Sequence, residues 1–347
     1  GRKARGVLEL ARGQVATAVG ARPQDVIFTS GGTEANALAL APYMRSGRER
    51  IERAIISSIE HASARAGGRF LPERIETLAV ARAGVIDLGR RLGASIPDVR
   101  SLLTQNALAT AQAAAKDQAA DFALNKITLL PPIPNPGKIF CIGLNYEDHR
   151  KETKRDKTEE PAVFVRFAES QVGHNQPILR PRESTKLDFE GEIAVIIGQR
   201  GRRIAEKDAW SYVGGYSCYN DGSVRDWQRH THQFTPGKNF PKSGSYGPWM
   251  LTADELRDPR QCRIVTRLNG QEMQNASVGT MYFPTEELIA YISTFTALNP
   301  GDIIATGTPA GVGFRRDPQV YMKPGDVLEI DISPIGVLRN PIIAEKR

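Results

Sequence analysis

The stretch Leu187-Asp-Phe-Glu-Gly-Glu-Ile-Ala-Val-Ile-Ile-Gly198 decides how the rest of the chain is interpreted. Its second half is rich in β-branched residues and closes on a glycine, which predicts a strand. Glu190 and Glu192 stand at the start of that strand with only Gly191 between them. Residues two apart in a strand point to the same face, roughly 6.6 Å apart along the chain. The pair is therefore either a strand end with two solvated acids or a site for a hard divalent cation, Mg²⁺ or Mn²⁺.

Composition and charge narrow the class of protein. The length of 347 residues predicts two domains, each able to bury a core. No apolar run approaches the roughly 20 residues of a membrane helix, so no membrane association is expected. The net charge of +7 comes from scattered arginines without a basic tract, which argues against a nucleic-acid partner. Three widely spaced cysteines predict reduced thiols and a cytoplasmic location.

The N-terminal part of the chain has a sequence pattern that differs from the rest. A glycine pair and a hydroxyl in residues 30–36 precede a helical run, which is typical of either a phosphate cradle or a plain strand-to-helix turn. The phrases GRKARGVLELAR, DVIFTSGGTEANALAL, IISSIEHAS and GGRFLPERIETL resemble the beginning of a cysteine desulfurase, a pyridoxal-phosphate enzyme. The resemblance implies phosphate binding by Thr33 and ring stacking by His61. The lysine that would bind the cofactor has no counterpart, so residues 1–88 are interpreted as a truncated fragment without pyridoxal phosphate.

The next segments suggest where the main domain begins. Residues 89–136 are interpreted as a helical remnant of an N-terminal domain followed by a proline-rich linker, 131–136. Residues 137–347 then form the catalytic domain. Short strands with glycine and proline between them, and one clear helix, 285–296, predict an α+β fold with a mixed β core, preceded by a smaller α/β segment at the N-terminus. The predicted strands are 139–142, 162–167, 192–197, 210–220, 262–268, 302–306 and 327–332.

Several side chains in this domain are candidates for chemistry. Asp221 ends a predicted strand and is either a third metal ligand or a turn residue before Gly222. His149 and Glu152 are three residues apart and can pair on one helix face as a general base, or belong to a solvated charged turn. Lys238 follows Pro-Gly and can stabilise an enolate, or be an ordinary surface lysine.

Two further segments of this domain contain polar candidates. The glycine-rich loop 306–313 can hold a carboxylate through its backbone N–H groups and Thr308, but it lacks the lysine of a nucleotide-binding loop. His230 and His232 lack further metal ligands and are interpreted as polar loop residues.

Taken in order, the phrases CIGLNYEDHRKE, LDFEGEIAVIIG, NDGSVRDWQ, TPGKNF, GPWMLTADEL, LNGQEMQNASV and LNPGDIIATGTPAGVG resemble the fumarylacetoacetate hydrolase family. The resemblance covers residues 138–343, with a weaker match from about 84. It implies a sandwich-like β roll, a homodimer, and Mg²⁺ or Mn²⁺ on Glu190, Glu192 and Asp221. The roles that it implies for the other candidates are a water-activating pair on a lid (His149, Glu152), enolate stabilisation (Lys238) and substrate contacts (Gln228, Thr308). One departure is that Pro241 and Lys242 follow Phe240, where many members have an aspartate.

The function expected from this resemblance is metal-dependent cleavage of a C–C bond next to a 2-oxo acid, with a small 2-oxo acid as substrate. Two alternatives with the same site chemistry are an oxaloacetate-type decarboxylase and a 2-hydroxymuconate-type isomerase or hydratase. An alternative of another class is a non-catalytic fusion or a pyridoxal-phosphate protein.

Overall fold

The computed structural model describes residues 84–346 apart from 154, 155 and 157, together with the backbone of four short strands nearer the N-terminus. The chain divides into two compact units, Gly1–Gly84 and Val85–Arg347. In the first unit, Arg45–Ser46 pairs antiparallel with Glu49–Arg50, and Ala54–Ser57 pairs parallel with Ile75–Leu78. The predicted cofactor contacts, Thr33 and His61, lie outside the described residues.

The second unit contains seven α-helices and fourteen strands in the described part of the chain. The helices are α1 (Leu88–Leu92), α2 (Val99–Thr104), α3 (Leu108–Ala115), α4 (Glu147–Thr153), α5 (Arg225–Gln228), α6 (Thr235–Lys238) and α7 (Thr285–Phe295). The strands are β1 (Ile139–Gly143), β2 (Ala162–Arg166), β3 (Gln171–Val172), β4 (Ile178–Arg180), β5 (Leu187–Asp188), β6 (Gly191–Ile197), β7 (Val213–Asn220), β8 (Ser223–Val224), β9 (Gly244–Thr252), β10 (Arg263–Leu268), β11 (Gln271–Ser277), β12 (Ile303–Ala305), β13 (Val327–Ile332) and β14 (Gly336–Ala344). Short 3₁₀ helices cover Leu124–Lys126, Ala168–Ser170, Glu206–Tyr212, Pro259–Gln261, Val278–Thr280 and Gly313–Arg315.

The second unit is built on two mixed β-sheets. The seven-stranded sheet has the order β2-β1-β12-β6-β7-β9-β3, and the five-stranded sheet has the order β11-β10-β13-β14-β4. A small ribbon pairs β8 with β5. Most neighbours are antiparallel, whereas β12 with β1, β9 with β3 and β14 with β4 are parallel. This architecture confirms the α+β fold predicted from the sequence.

Strand β6 is the centre of the larger sheet and is buried along its whole length. Ile193, Val195 and Ile197 belong to the larger core cluster, whereas Ala194 and Ile196 belong to a second one. Because alternate side chains of a strand point to opposite faces, β6 is covered on both sides, and its residues 193–197 are a continuous apolar run.

The proline-rich segment 131–136 contributes to that second cluster. Ile133 is fully buried, and its backbone N–H and carbonyl both bond to the Tyr246 hydroxyl. Leu103 of α2 packs into the same cluster. Residues 85–136 therefore belong to the same compact unit as the sheets.

The helices of the described part are short or amphipathic. Helix α7 buries Leu288, Ile289 and Ile292 on one face. Of the helices that can be described, none has both the length and the apolar composition of a membrane-crossing segment.

Candidate active site

The three acids predicted from two separate segments meet where β6 begins and β7 ends. Glu190 lies immediately before β6, Glu192 is its second residue, and Asp221 follows β7. The two strands are antiparallel, and the Asp221 N–H donates to the Glu190 carbonyl at 2.9 Å. One carboxylate oxygen from each residue lies within 4.8 Å of the others, and all three residues are buried.

Gly191 holds the two glutamates in this register against the second sheet. A Cβ on Gly191 would lie 2.0 Å from the Thr266 hydroxyl oxygen of β10. The Gly191 N–H donates to the Gln274 side chain at 3.0 Å, so the strand is fixed at this point. The glutamates on either side consequently point away from the five-stranded sheet and into the site.

Cationic side chains pair with two of the three acids. The Lys238 Nζ lies 2.7 Å from Glu190 Oε2 and 2.5 Å from Asp221 Oδ2. Arg225 Nη1 lies 2.7 Å from the other Glu190 oxygen, and Arg166 Nη1 lies 2.7 Å from Asp221 Oδ1. Burial opposes ionisation of Glu190, but Arg225 and Lys238 outweigh it and hold the pKa of this carboxyl at about 2. Burial also lowers the pKa of Lys238, yet Asp221 and Glu190 raise it above its ordinary value, so the amine is an ammonium.

Glu192 has a different environment from its two neighbours. It accepts a hydrogen bond from the Gly307 N–H at 2.9 Å, and it has no ion pair among the residues that the structure describes. Burial and the charges of Asp221 and Glu190 raise its pKa well above the ordinary value. A buried carboxylate without a cationic partner, beside two further carboxylates, fits a bound divalent cation with oxygen ligands.

Lys238 reaches the acids because α6 packs tightly on α5. A Cβ on Gly237 would lie 2.3 Å from the Gln228 backbone nitrogen, so only glycine allows this approach. Pro236 stands at the start of the same four-residue helix. The Pro-Gly-Lys sequence thus places a lysine that is 1% exposed between two carboxylates, rather than on the surface.

The predicted dyad forms on α4. His149 Nδ1 lies 3.1 Å from Glu152 Oε2, and His149 is buried. The Gly311 N–H donates to Glu152 at 3.2 Å, which fixes the carboxylate in place. With Nδ1 facing the carboxylate, Nε2 is the nitrogen that can take up a proton.

Gln228 and Thr308 both line the pocket above the acids. Gln228 Oε1 accepts from Arg225 at 3.0 Å. The Thr308 hydroxyl donates to the Gly191 carbonyl at 3.0 Å and accepts from Gln274 Nε2 at 2.8 Å. The same pocket is lined by His149, Glu190, Arg225, Lys238, Phe314 and Arg315, among others. His230 and His232 are exposed and belong to no metal-ligand cluster of the described residues.

Sequence reasoning missed several charged residues of the site, among them Asp188, Arg225 and Arg166. Asp188 is fully buried, accepts from Arg225 Nε at 2.8 Å, and accepts from the backbone N–H groups of Gly313 and Phe314. Its spacing, two residues before Glu190, was an available signal because such residues share one strand face. Arg225 lies in the same sequence phrase as Gln228. Arg166 gave no local signal, since its partner Asp221 is far along the chain.

Comparison with known proteins identifies the class. The family model "Fumarylacetoacetate (FAA) hydrolase C-terminal" matches residues 138–343, more than half of the chain. The chain belongs to the fumarylacetoacetate hydrolase family and is an enzyme of that family. The aminotransferase class-V model matches residues 1–106, which agrees in part with the resemblance to a cysteine desulfurase.

Individual relatives are similar over most of their length. Oxaloacetate tautomerase fahd2, mitochondrial, of Xenopus laevis is 43% identical over 241 residues, which is 69% of this chain and 76% of that protein. Oxaloacetate tautomerase FAHD2A, mitochondrial, of Homo sapiens is 37% identical over 265 residues, covering 75% and 84%. The crystal structure of 5-carboxymethyl-2-hydroxymuconate delta-isomerase from Mycobacterium smegmatis superposes with a TM-score of 0.58 at 31% identity, covering 65% of this chain and 86% of that one. The expected cytoplasmic location is wrong, because the oxaloacetate tautomerases are mitochondrial proteins by name.

Proposed function

We propose that this enzyme is a divalent-metal-dependent isomerase that interconverts the keto and enol forms of a small 2-oxo dicarboxylic acid of the oxaloacetate type. The observation that carries the proposal is a cluster of three buried carboxylates with a buried ammonium, next to a histidine–glutamate pair. One member of each group, Glu190, Lys238 and His149, lines the same pocket. Relatives named as tautomerases and a neighbour named as an isomerase support an isomerase over the C–C bond hydrolase.

The metal site would be formed by Glu190, Glu192 and Asp221. The ion that we propose is Mg²⁺, or Mn²⁺, since an all-carboxylate donor set favours hard cations. When bound, the cation supplies Lewis-acid polarisation of the substrate's carboxylate and 2-oxo oxygen. Lys238 and Arg225 are fixed beside Glu190, where their charges orient an anionic substrate.

The proton transfer is assigned to the dyad. His149 Nε2 removes a proton from the carbon next to the 2-oxo group, and that C–H electron pair becomes the new C=C bond. The carbonyl π electrons move to oxygen, and the Lys238 ammonium donates a hydrogen bond to the resulting enolate. Glu152 stabilises the imidazolium that forms, and the return of the proton to oxygen or carbon completes either direction. Gln228 and Thr308 would contact substrate oxygens.

A tautomerisation assay with Mg²⁺ tests this function. The enol form of oxaloacetate absorbs in the ultraviolet, so its conversion to the ketone is followed directly, with acylpyruvates and hydroxymuconate-type acids as parallel substrates. We expect Mg²⁺-dependent acceleration with oxaloacetate that His149→Ala removes. Cleavage of acylpyruvates without any effect on the tautomers would instead make the protein a hydrolase.

The assembly of the protein is a separate proposal. We propose a homodimer, supported by the family resemblance and by the exposed apolar side chains Val165 and Phe167 at an edge of the larger sheet. Light scattering of the purified protein tests the dimer.

The domain organisation is also a proposal. Residues 1–88 are proposed to be a truncated cysteine-desulfurase-like fragment without pyridoxal phosphate, residues 89–136 a helical and proline-rich connection, and residues 137–347 the catalytic domain. An absorbance band of a bound aldimine would contradict the first of these assignments.

A further inference from the structure

The wall of the pocket formed by Phe314 and its neighbours is rich in positive charge. The guanidinium carbons of Arg225, Arg229 and Arg315 lie 4.9, 4.3 and 4.5 Å from the centroid of the Phe314 ring. A phenyl ring attracts cations to its face, but three guanidinium groups around one ring also repel each other. An anion bound at this wall would remove that repulsion.

The charges of the three arginines are not equally neutralised. Arg225 forms ion pairs with Asp188 and Glu190, so its charge is neutralised within the protein. Arg315 forms no ion pair with any acid in the described ranges of the chain. Arg315 Nη2 donates to the Thr153 carbonyl at 2.6 Å, which is a neutral partner.

One donor of Arg315 also lacks an acceptor. Its Nε is buried from solvent and has no hydrogen-bond partner in the described part of the protein. A buried charged donor without a partner is costly, and a guanidinium satisfies this need best with a carboxylate, which it can bind through two parallel bonds. Arg315 lines the same pocket as Glu190, Lys238 and Thr308, so an anion that reaches it is part of the molecule bound there.

We propose that Arg315, seated on Phe314, is the residue that selects a 2-oxo dicarboxylic acid by binding its second carboxylate. This inference rests on the proposed function, since it assigns the 2-oxo acid end of the substrate to the carboxylate cluster. The two ends of the substrate are then held by different elements: the strand ends and α6 at one end, and the loop that follows Val312 at the other. Arg315 also touches α4 through Thr153, so the bound second carboxylate lies next to the helix that carries His149.

The test compares a ligand with the second carboxylate and one without it. Oxaloacetate is the substrate of the proposed reaction, and pyruvate, which lacks the second carboxylate, is titrated as an inhibitor. Losing a hydrogen-bonded charge pair weakens binding by about 10- to 100-fold, so Arg315→Gln should raise the KM of oxaloacetate by that factor. The kcat and the inhibition constant of pyruvate should stay within about threefold of wild type. Arg315→Lys keeps the charge and should recover part of the lost affinity.

Arg316→Gln is the matched control in the same loop. Arg316 likewise donates to backbone carbonyls, those of Gly311 and Met273, but it does not line the pocket. If Arg315→Gln weakens the binding of oxaloacetate and of pyruvate equally, or changes the two constants as Arg316→Gln does, then Arg315 only holds the loop and the proposal is wrong. If the wild-type protein does not accelerate the tautomerisation, the proposed function itself fails, which is a different result.

Discussion

The carboxylate cluster (Glu190, Glu192 and Asp221) and the dyad helix α4 differ in how the protein holds them. The carboxylates stand at the ends of two central strands and are enclosed by ion pairs. The dyad stands on a seven-residue helix, in which Glu152 bonds to the glycine-rich loop and the Thr153 carbonyl bonds to Arg315 just after that loop. In the proposed mechanism, metal and substrate binding would therefore be built into the scaffold, whereas proton transfer would be supplied by a separate, lightly attached element.

The largest effect is expected at the carboxylate cluster. Asp221→Asn removes one proposed ligand and leaves Arg166 and Lys238 short of a counter-charge. We expect activity to fall by more than about 10³-fold, and the free energy of unfolding to fall by about 3 to 5 kcal/mol because a buried ion pair is broken. Chemical denaturation and the tautomerisation assay measure the two effects. Glu329→Gln, at a surface pair 3.7 Å from Arg339, is the control and should change neither.

The next effect separates the dyad from the carboxylates. His149→Ala should lower kcat by about 10² to 10⁴-fold, because a positioned general base contributes that much. The affinity for Mg²⁺ should remain that of the wild type, since His149 is not among the three clustered ligands. Weaker Mg²⁺ binding in this variant would show that the two regions are not independent.

A smaller effect is expected at Glu152. Glu152→Gln can still accept from the Gly311 N–H, but it no longer stabilises a positive charge on His149. We expect kcat to fall by about 10- to 100-fold with little change in KM. A KM change alone would mean that Glu152 serves to place the helix.

The smallest effect concerns stability without metal. Glu192 is buried among like charges, whereas Glu190 and Asp221 have cationic partners. Glu192→Gln keeps the acceptor for the Gly307 N–H and removes one charge, so the metal-free protein should gain on the order of 1 kcal/mol in free energy of unfolding. Thermal unfolding after chelation measures this change, and a loss of stability would count against the charge argument.

The sequence predicted the centre of the fold better than its periphery. Strands β6 and β12 and helix α7 were predicted because their apolar patterns are local. Strand β11, Gln-Glu-Met-Gln-Asn-Ala-Ser, was missed because it is a polar edge strand without alternation. The prediction of a strand from Trp210 was wrong at its start, since residues 206–212 form a 3₁₀ helix and the strand begins at Val213.

The residues of the candidate site show the same difference between local patterns and long-range contacts. Glu190 and Glu192 were found because strand periodicity places them together, and His149 and Glu152 because helix periodicity does. Arg166 and Arg315 were missed because their contacts are made across the fold, to Asp221 and Thr153. Such contacts depend on sheet order, which a single sequence does not specify.

A calorimetric titration of Mg²⁺ into the chelator-treated protein tests the central claim most directly, with His149→Ala and Glu192→Gln titrated in parallel. The wild-type protein and His149→Ala should each bind one ion with the same affinity, and Glu192→Gln should show no binding in the same range. Undetectable binding by the wild-type protein, or unchanged binding by Glu192→Gln, would contradict a metal site on these three carboxylates.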